Sequence, residues 1–274
     1  MGTSTNYSAG PNWAPVKSET TQAGGQGFVT PQKAQSIISG VVSQMARAPS
    51  LGFGSPLSGG RSDGSQGRGR GTSGGGSQGG SGVGGGPRSR IIGGASRSVA
   101  RGLGHFLSDV STKGFRDALA ECGLTNLDGK SPDEIALALA DVLGGPASLI
   151  EDAALRDALM EMTLEWSENA KDIEELDVSV RDVAQNIERT LHEFFGHYIF
   201  QVFKTVGYQG VLEKHGFEKV ESMAAQIREF IDAKISGVEM ARDLSTINWT
   251  GHSGAEIVNG IVRDTMEIFG GGES

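Results

Sequence analysis

The chain has 274 residues, 24 Lys and Arg against 33 Asp and Glu for a net charge of −9, a single cysteine and 43 glycines. One cysteine excludes a disulfide framework, and no apolar run approaches the roughly 18 residues that a membrane span needs. Glycine at about twice its ordinary share implies that part of the chain builds no core.

The charge is divided along the chain. Residues 1–101 hold ten basic residues against Glu19 and Asp63, a net of +8, whereas 102–274 hold 14 basic against 31 acidic, a net of −17. A basic, glycine-rich arm before an acidic body is the asymmetry of an interaction tail. The first thirty residues lack the charged start and apolar stretch of a secretory signal, so the expected location is the cytoplasm. "MGTST" puts glycine after the initiator, but the myristoylation pattern wants Ser or Thr at the sixth position, where Asn6 stands.

In chain order, residues 1–30 are polar and turn-rich, with Gly10-Pro11 and a lone Trp13, and are expected to be an extended arm. Over 31–47, Ala34, Ile37, Ile38, Val41 and Met45 recur at spacings of three and four behind Thr30 and Pro31, which predicts a capped amphipathic helix. Residues 48–93 are rich in Gly, Ser and Arg and read as a flexible linker. A coil of about 40 such residues has a root-mean-square reach of roughly 35 Å, enough to present the N-terminus away from the body.

From 94 to 270 the pattern is helical, and an acidic all-α domain is expected. Two short helices are predicted around 97–123, the first weakened by Gly102 and Gly104. Ser131, Pro132 and Glu134 form a capping box before the next, which Gly144-Gly145-Pro146 ends. Helices follow near 149–170, 179–206 and 217–236, then a short segment near 238–246. The last helix, with Ser253 and Glu256 as a second capping box, runs to Phe269. Strand signals are few.

"HEFFGH" at 192–197 resembles a zinc-protease motif but has Gly196 where the second histidine belongs. Five residues turn a helix by about 140°, so His192 and His197 are expected to point apart and bind no metal. Cys122 has no basic neighbour and reads as a structural thiol. The acidic run Asp172, Glu174, Glu175 and Asp177 reads as a solvated face. No glycine string follows a strand or carries Gly-Lys-Ser/Thr, so no phosphate loop is expected. No catalytic residue and no cofactor emerges.

The start Met1, Gly2, Thr3, Ser4, then Gly10-Pro11 and Trp13, a basic glycine-rich stretch and an acidic helical body, resembles the QatB family. Its members are associated proteins of the Qat anti-phage defence system of bacteria. The resemblance implies a non-enzymatic component acting beside an ATPase, a QueC-like enzyme (QatC-like) and a TatD-like nuclease. It also implies that a 7-deazapurine is attached to the α-amine of Gly2, exposed once Met1 is removed. Such an amine, with a pKa near 7.7–8.0, is partly neutral at cellular pH, unlike lysine near 10.4. Thr3, Ser4, Gly10, Pro11 and Trp13 would then serve partner recognition, Trp13 as an aromatic anchor. Two other readings stay open: a nucleic-acid-binding scaffold using linker residues such as Arg68 and Arg70, and a delivered bacterial toxin with a glycine-rich translocation segment.

Overall fold

A computed structural model describes residues 11–47, 94–127, 129–145, 150–240 and 242–270. Among them are ten helices and no strands, so the body is all-α as expected. They are α1 (Ala14–Gln26), α2 (Pro31–Met45), α3 (Gly94–Lys113), α4 (Phe115–Glu121), α5 (Pro132–Gly144), α6 (Ile150–Ser167), α7 (Ile173–Ala184), α8 (Ile187–His215), α9 (Phe217–Ser236) and α10 (His252–Gly270). None of the described helices is long and apolar enough to cross a membrane.

The organising element is α8. Leu191, Phe194, Phe195, Ile199 and Phe203 on it are fully buried, and α1, α2, α3, α6, α7, α9 and α10 all pack on it. Such a helix is apolar on most of its circumference, as a core helix must be. Gly196, the residue that breaks the zinc-protease pattern, lets α9 come close: a Cβ there would collide with Ile235 and Ile231.

Local chemistry sets several helix starts as expected. Thr30 Oγ1 accepts from the Lys33 amide at 3.2 Å ahead of Pro31. Ser131 and Glu134 exchange both bonds of the capping box, at 3.3 and 2.8 Å. Each satisfies amides that the first helical turn otherwise leaves unpaired.

Elsewhere the structure departs from the pattern. The extended arm expected over 1–30 is in part a helix, α1. The helix expected over 179–206 is divided at Gln185-Asn186 into α7 and α8, because the Asn186 side chain accepts from the Arg189 amide and starts a new helix. The acidic run before it is not merely solvated: Asp172 caps α7 through the Glu175 amide at 2.9 Å, Glu174 pairs with Arg116, and Asp177 with Arg181. No helix forms over the described residues 238–240 and 242–246. α10 begins at His252, which leaves Ser253 inside the helix and not at its cap.

Glycines 102 and 104 do not break α3, which runs 20 residues. Gly104 is needed there, since a Cβ would lie 2.5 Å from the Trp249 ring. Cys122 is half-buried, and burial pushes its thiol pKa up.

Candidate functional site

The proposed acceptor and its neighbours, Gly2, Thr3, Ser4 and Gly10, lie outside the described residues, as do the linker arginines Arg61, Arg68, Arg70, Arg88 and Arg90. The structure does show how the arm is rooted. Pro11 and Trp13 immediately precede α1. The Asn12 amide donates to Gln44 Oε1 on α2 at 2.8 Å, and the Trp13 carbonyl accepts from the Lys17 amide at 2.9 Å. Trp13 is half-buried against the protein's own core. It is therefore packed in part on the body and not carried on a wholly extended arm.

From Trp13 onward the chain is seated on the body. α1 has a weak apolar face, with Val16, Thr20, Ala23 and Gly24 buried, and it gains its place by close approach. A Cβ on Gly24 would collide with Val211 of α8, one on Gly207 would stand 2.7 Å from Thr20, and one on Gly25 would stand 2.9 Å from the His215 ring. His215 Nε2 donates to the Thr21 carbonyl at 3.0 Å, and Lys219 Nζ donates to the Gly25 carbonyl at 3.2 Å. After α1, the Val29 amide donates to Gln226 Oε1 of α9 at 2.8 Å.

α2 is held as firmly. Its Gln35 and Ser39 side chains donate to the terminal carbonyls of α10 at Phe269 and Gly270, at 2.8 and 3.0 Å. Lys33 pairs with Glu19 of α1 at 2.9 Å. Both ends of the glycine-rich linker are thus attached to one body. The linker joins α2 to α3 and does not set how far Gly2 stands from the core; residues between Gly2 and Trp13 do.

A second assembly lies where α6, α8 and α9 meet, and sequence reasoning missed it. Glu161 and Glu165, one turn apart on α6, face His197 of α8 and Arg228 of α9. Arg228 donates to Glu161 Oε1 at 3.0 Å and Glu165 Oε1 at 2.9 Å, while its Nε reaches Asp232 at 3.1 Å. His197 Nε2 lies 3.1 Å from Arg228 Nη2 and 3.4 Å from Glu165 Oε2. Its Nδ1 stands 3.5 Å from Glu161 Oε2, too long for a hydrogen bond, and is buried without a hydrogen-bond partner. Gln201 Nε2 steadies Glu161 at 2.5 Å. The only sequence signal was a glutamate pair at i and i+4 beside an imperfect histidine motif.

The electrostatics of this cluster follow from its contacts. Burial alone would raise the Glu161 carboxyl, but His197 and Arg228 outweigh it and hold its pKa at about 2. Glu165 is lowered against burial by the same two groups. Burial acts to lower His197, yet the two carboxylates raise it above its ordinary 6.5. A depressed carboxyl stabilises the fold above its unfolded pKa and loses that effect as pH falls through its folded one. Glu161 therefore contributes fully above pH 4.5 and loses its contribution toward pH 2. The raised histidine contributes fully below 6.5 and loses it as pH rises through the raised value. We expect the stability gap between wild type and Glu161→Gln, measured by denaturant unfolding, to be widest between pH 4.5 and 6.5 and to shrink toward pH 2. A gap unchanged across the acid limb would contradict this assignment.

His192, as expected, points elsewhere: its Nδ1 pairs with Thr265 Oγ1 of α10 at 3.0 Å, and burial lowers its pKa. Glu188, buried nearby, is matched by Arg242, whose Nε lies 3.0 Å away and whose amide donates at 2.9 Å. The two histidines serve separate junctions of the same helix.

No curated protein and no solved structure matches the chain. The family model described as QatB, the Qat anti-phage system associated protein, matches residues 85–269. That span takes in α3 to α9 and nearly all of α10, the whole of the acidic body; α1 and α2 precede it. The chain belongs to the QatB family, the associated proteins of the Qat anti-phage system.

Proposed function

We propose that this QatB-family protein acts in anti-phage defence as a non-enzymatic partner and N-terminal protein substrate, with Gly2 as the acceptor for a 7-deazapurine delivered by a QueC-like enzyme. Its other partners would be the ATPase and TatD-like nuclease of the same system, in the cytoplasm. Thr3, Ser4, Gly10 and Pro11 would be read by the enzyme as the segment leading to the acceptor, with the outer edge of Trp13 at its root.

The observation that supports this reading is the seating of the arm. Because the chain is docked from Trp13 onward, eleven residue steps separate Gly2 from a fixed point on the body. At 3.3–3.6 Å per residue, that tether spans at most about 40 Å. An enzyme bound to the body thus meets the acceptor at high local concentration, since short flexible tethers confine their ends. The small Gly2 offers an unhindered α-amine, partly neutral near pH 7.

The test is the mass of the N-terminal peptide from protein purified with its native neighbours expressed. A Gly2 peptide carrying the mass of a deazapurine is expected, and Gly2→Ala is expected to abolish phage protection while the helical content is unchanged. A bare glycine with every neighbour active, or full protection by Gly2→Ala, would remove the acceptor role.

A further inference from the structure

We propose that Glu161, Glu165 and His197 form a binding site for a divalent transition-metal ion of the zinc class, which Arg228 holds closed when the metal is away. One oxygen from each carboxylate and one imidazole nitrogen lie within 4.8 Å of one another. Two carboxylates and an imidazole are the donor types that zinc takes, at about 2.0–2.2 Å from the ion. A tetrahedral shell at that bond length has ligand edges of about 3.4 Å, by simple geometry on the same bond length. His197 Nδ1 stands 3.5 Å from Glu161 Oε2 and Nε2 stands 3.4 Å from Glu165 Oε2. These are two different ring nitrogens, and an ion takes only one of them, so closing round it on Nδ1 requires the Glu165 carboxylate to swing to that side of the ring, within the 4.8 Å that spans the three donors.

His197 is the independent sign that something is missing from a pure ion-pair network. It is 5 % exposed, and its Nδ1 has no hydrogen-bond partner although it faces a carboxylate. A buried polar atom left unsatisfied costs about 1–3 kcal/mol, and a metal bond to that nitrogen removes the deficit. The surroundings supply what a metal site requires beyond its ligands. Gln201 Nε2 holds Glu161 in place. The Glu165 side chain is half exposed, which gives the ion a route from solvent and leaves a coordination position open to water.

Arg228 is the cation that now occupies the mouth of this cluster. Its guanidinium has other anchors: Nε binds both Asp232 oxygens at 3.1 Å, and the group lies 5.5 Å from the centre of the Phe200 ring. The guanidinium is planar and rigid, so freeing Glu161 and Glu165 requires the whole group to swing toward Asp232, its ion-pair partner one turn along α9. The metal and Arg228 thus compete for the same oxygens. His105 with Asp109 and His252 with Glu256 are the other described histidine–carboxylate pairs, each on a single helix and each with two donors only.

The experiment uses untagged full-length protein, stripped with a chelator and dialysed, then titrated with ZnCl2 by calorimetry and with CoCl2 by visible absorption. One saturable site is expected, with intense d–d bands of a tetrahedral or five-coordinate Co(II). Glu161→Gln and Glu165→Gln are each expected to weaken binding at least tenfold, and Arg228→Met to strengthen it about tenfold by removing the competitor. His197→Ala is expected to abolish the d–d bands; its fold is checked by circular dichroism, and Arg228→Met carries the test independently if that variant unfolds. Absence of saturable binding in both the wild type and Arg228→Met would overturn the site. So would binding that survives both glutamine variants unchanged, which would place the ion at a surface histidine.

Discussion

Replacing Trp249 by alanine is expected to lower unfolding stability by about 3–5 kcal/mol, the range for truncating a large buried aromatic. Trp249 is 2 % exposed and lies in the irregular segment between α9 and α10. Its ring occupies the space that Gly104 leaves open on α3, and its main chain stands so close to Gly254 that a Cβ there would lie 2.5 Å from its carbonyl oxygen. The ring meets α3, and the main chain of the same residue meets the start of α10. Removing the ring leaves a void that α3 cannot collapse into without bending. With typical domain stabilities of about 5–15 kcal/mol, such a loss leaves the protein marginal. Denaturant unfolding followed by circular dichroism measures it; a loss below about 1 kcal/mol would mean that the segment packs independently of its tryptophan. Gly104→Val is expected to act through the same contact by overpacking, at about 1–3 kcal/mol.

The all-α class and most of the helices were legible because they rest on local signals. Thr30-Pro31 and the Ser131–Glu134 box are chemistry within four residues, and the period of Val180 to Val202 marks a buried surface without reference to any partner. What stayed hidden depends on tertiary contact. α1 contains Thr20, Thr21, Gly24 and Gly25, poor helix formers that read as loop. They form a helix because α8 presents Gly207 and Val211 at the distances where only small side chains fit. Likewise Gly104 reads as a weakness until Trp249, 145 positions later, is placed against it.

The site divides in the same way. Gly2 and its neighbours stand out because of their position and their resemblance to a family, and no packing was needed to single them out. Glu161, Glu165, His197 and Arg228 could not be assembled from spacing, since they come from three helices separated by up to 67 positions. The motif around His192 asks for two histidines on one helix face, whereas the actual partners of His197 include carboxylates on the helix packed across from it.

Substituting leucine at both Gly24 and Gly207 is expected to detach the arm while leaving the body folded. Each substitution places a branched side chain where even a methyl group would meet Val211 or Thr20. Overpacking of this kind costs about 1–3 kcal/mol per site, and the two positions share one interface, so their effects couple. α1 has little to set against that: it is 13 residues long, weakly amphipathic and rich in residues of low helix propensity. Once displaced, it should unwind and open the backbone at Lys17 to trypsin. The expected result is rapid cleavage at that lysine with a body fragment that stays resistant and melts within a few degrees of the wild type. The consequence for the acceptor follows from tether length. With α1 free and α2 still held through Gln35 and Ser39, Gly2 hangs from Pro31 by roughly thirty residues instead of eleven, and effective concentration falls as about the −3/2 power of length, by about fourfold. Under the proposed acceptor role, modification of Gly2 would slow accordingly. An arm that remains protected from trypsin in the double variant would show that α1 is held by its polar contacts to His215, Lys219 and Gln226 and not by the glycine-lined approach to α8.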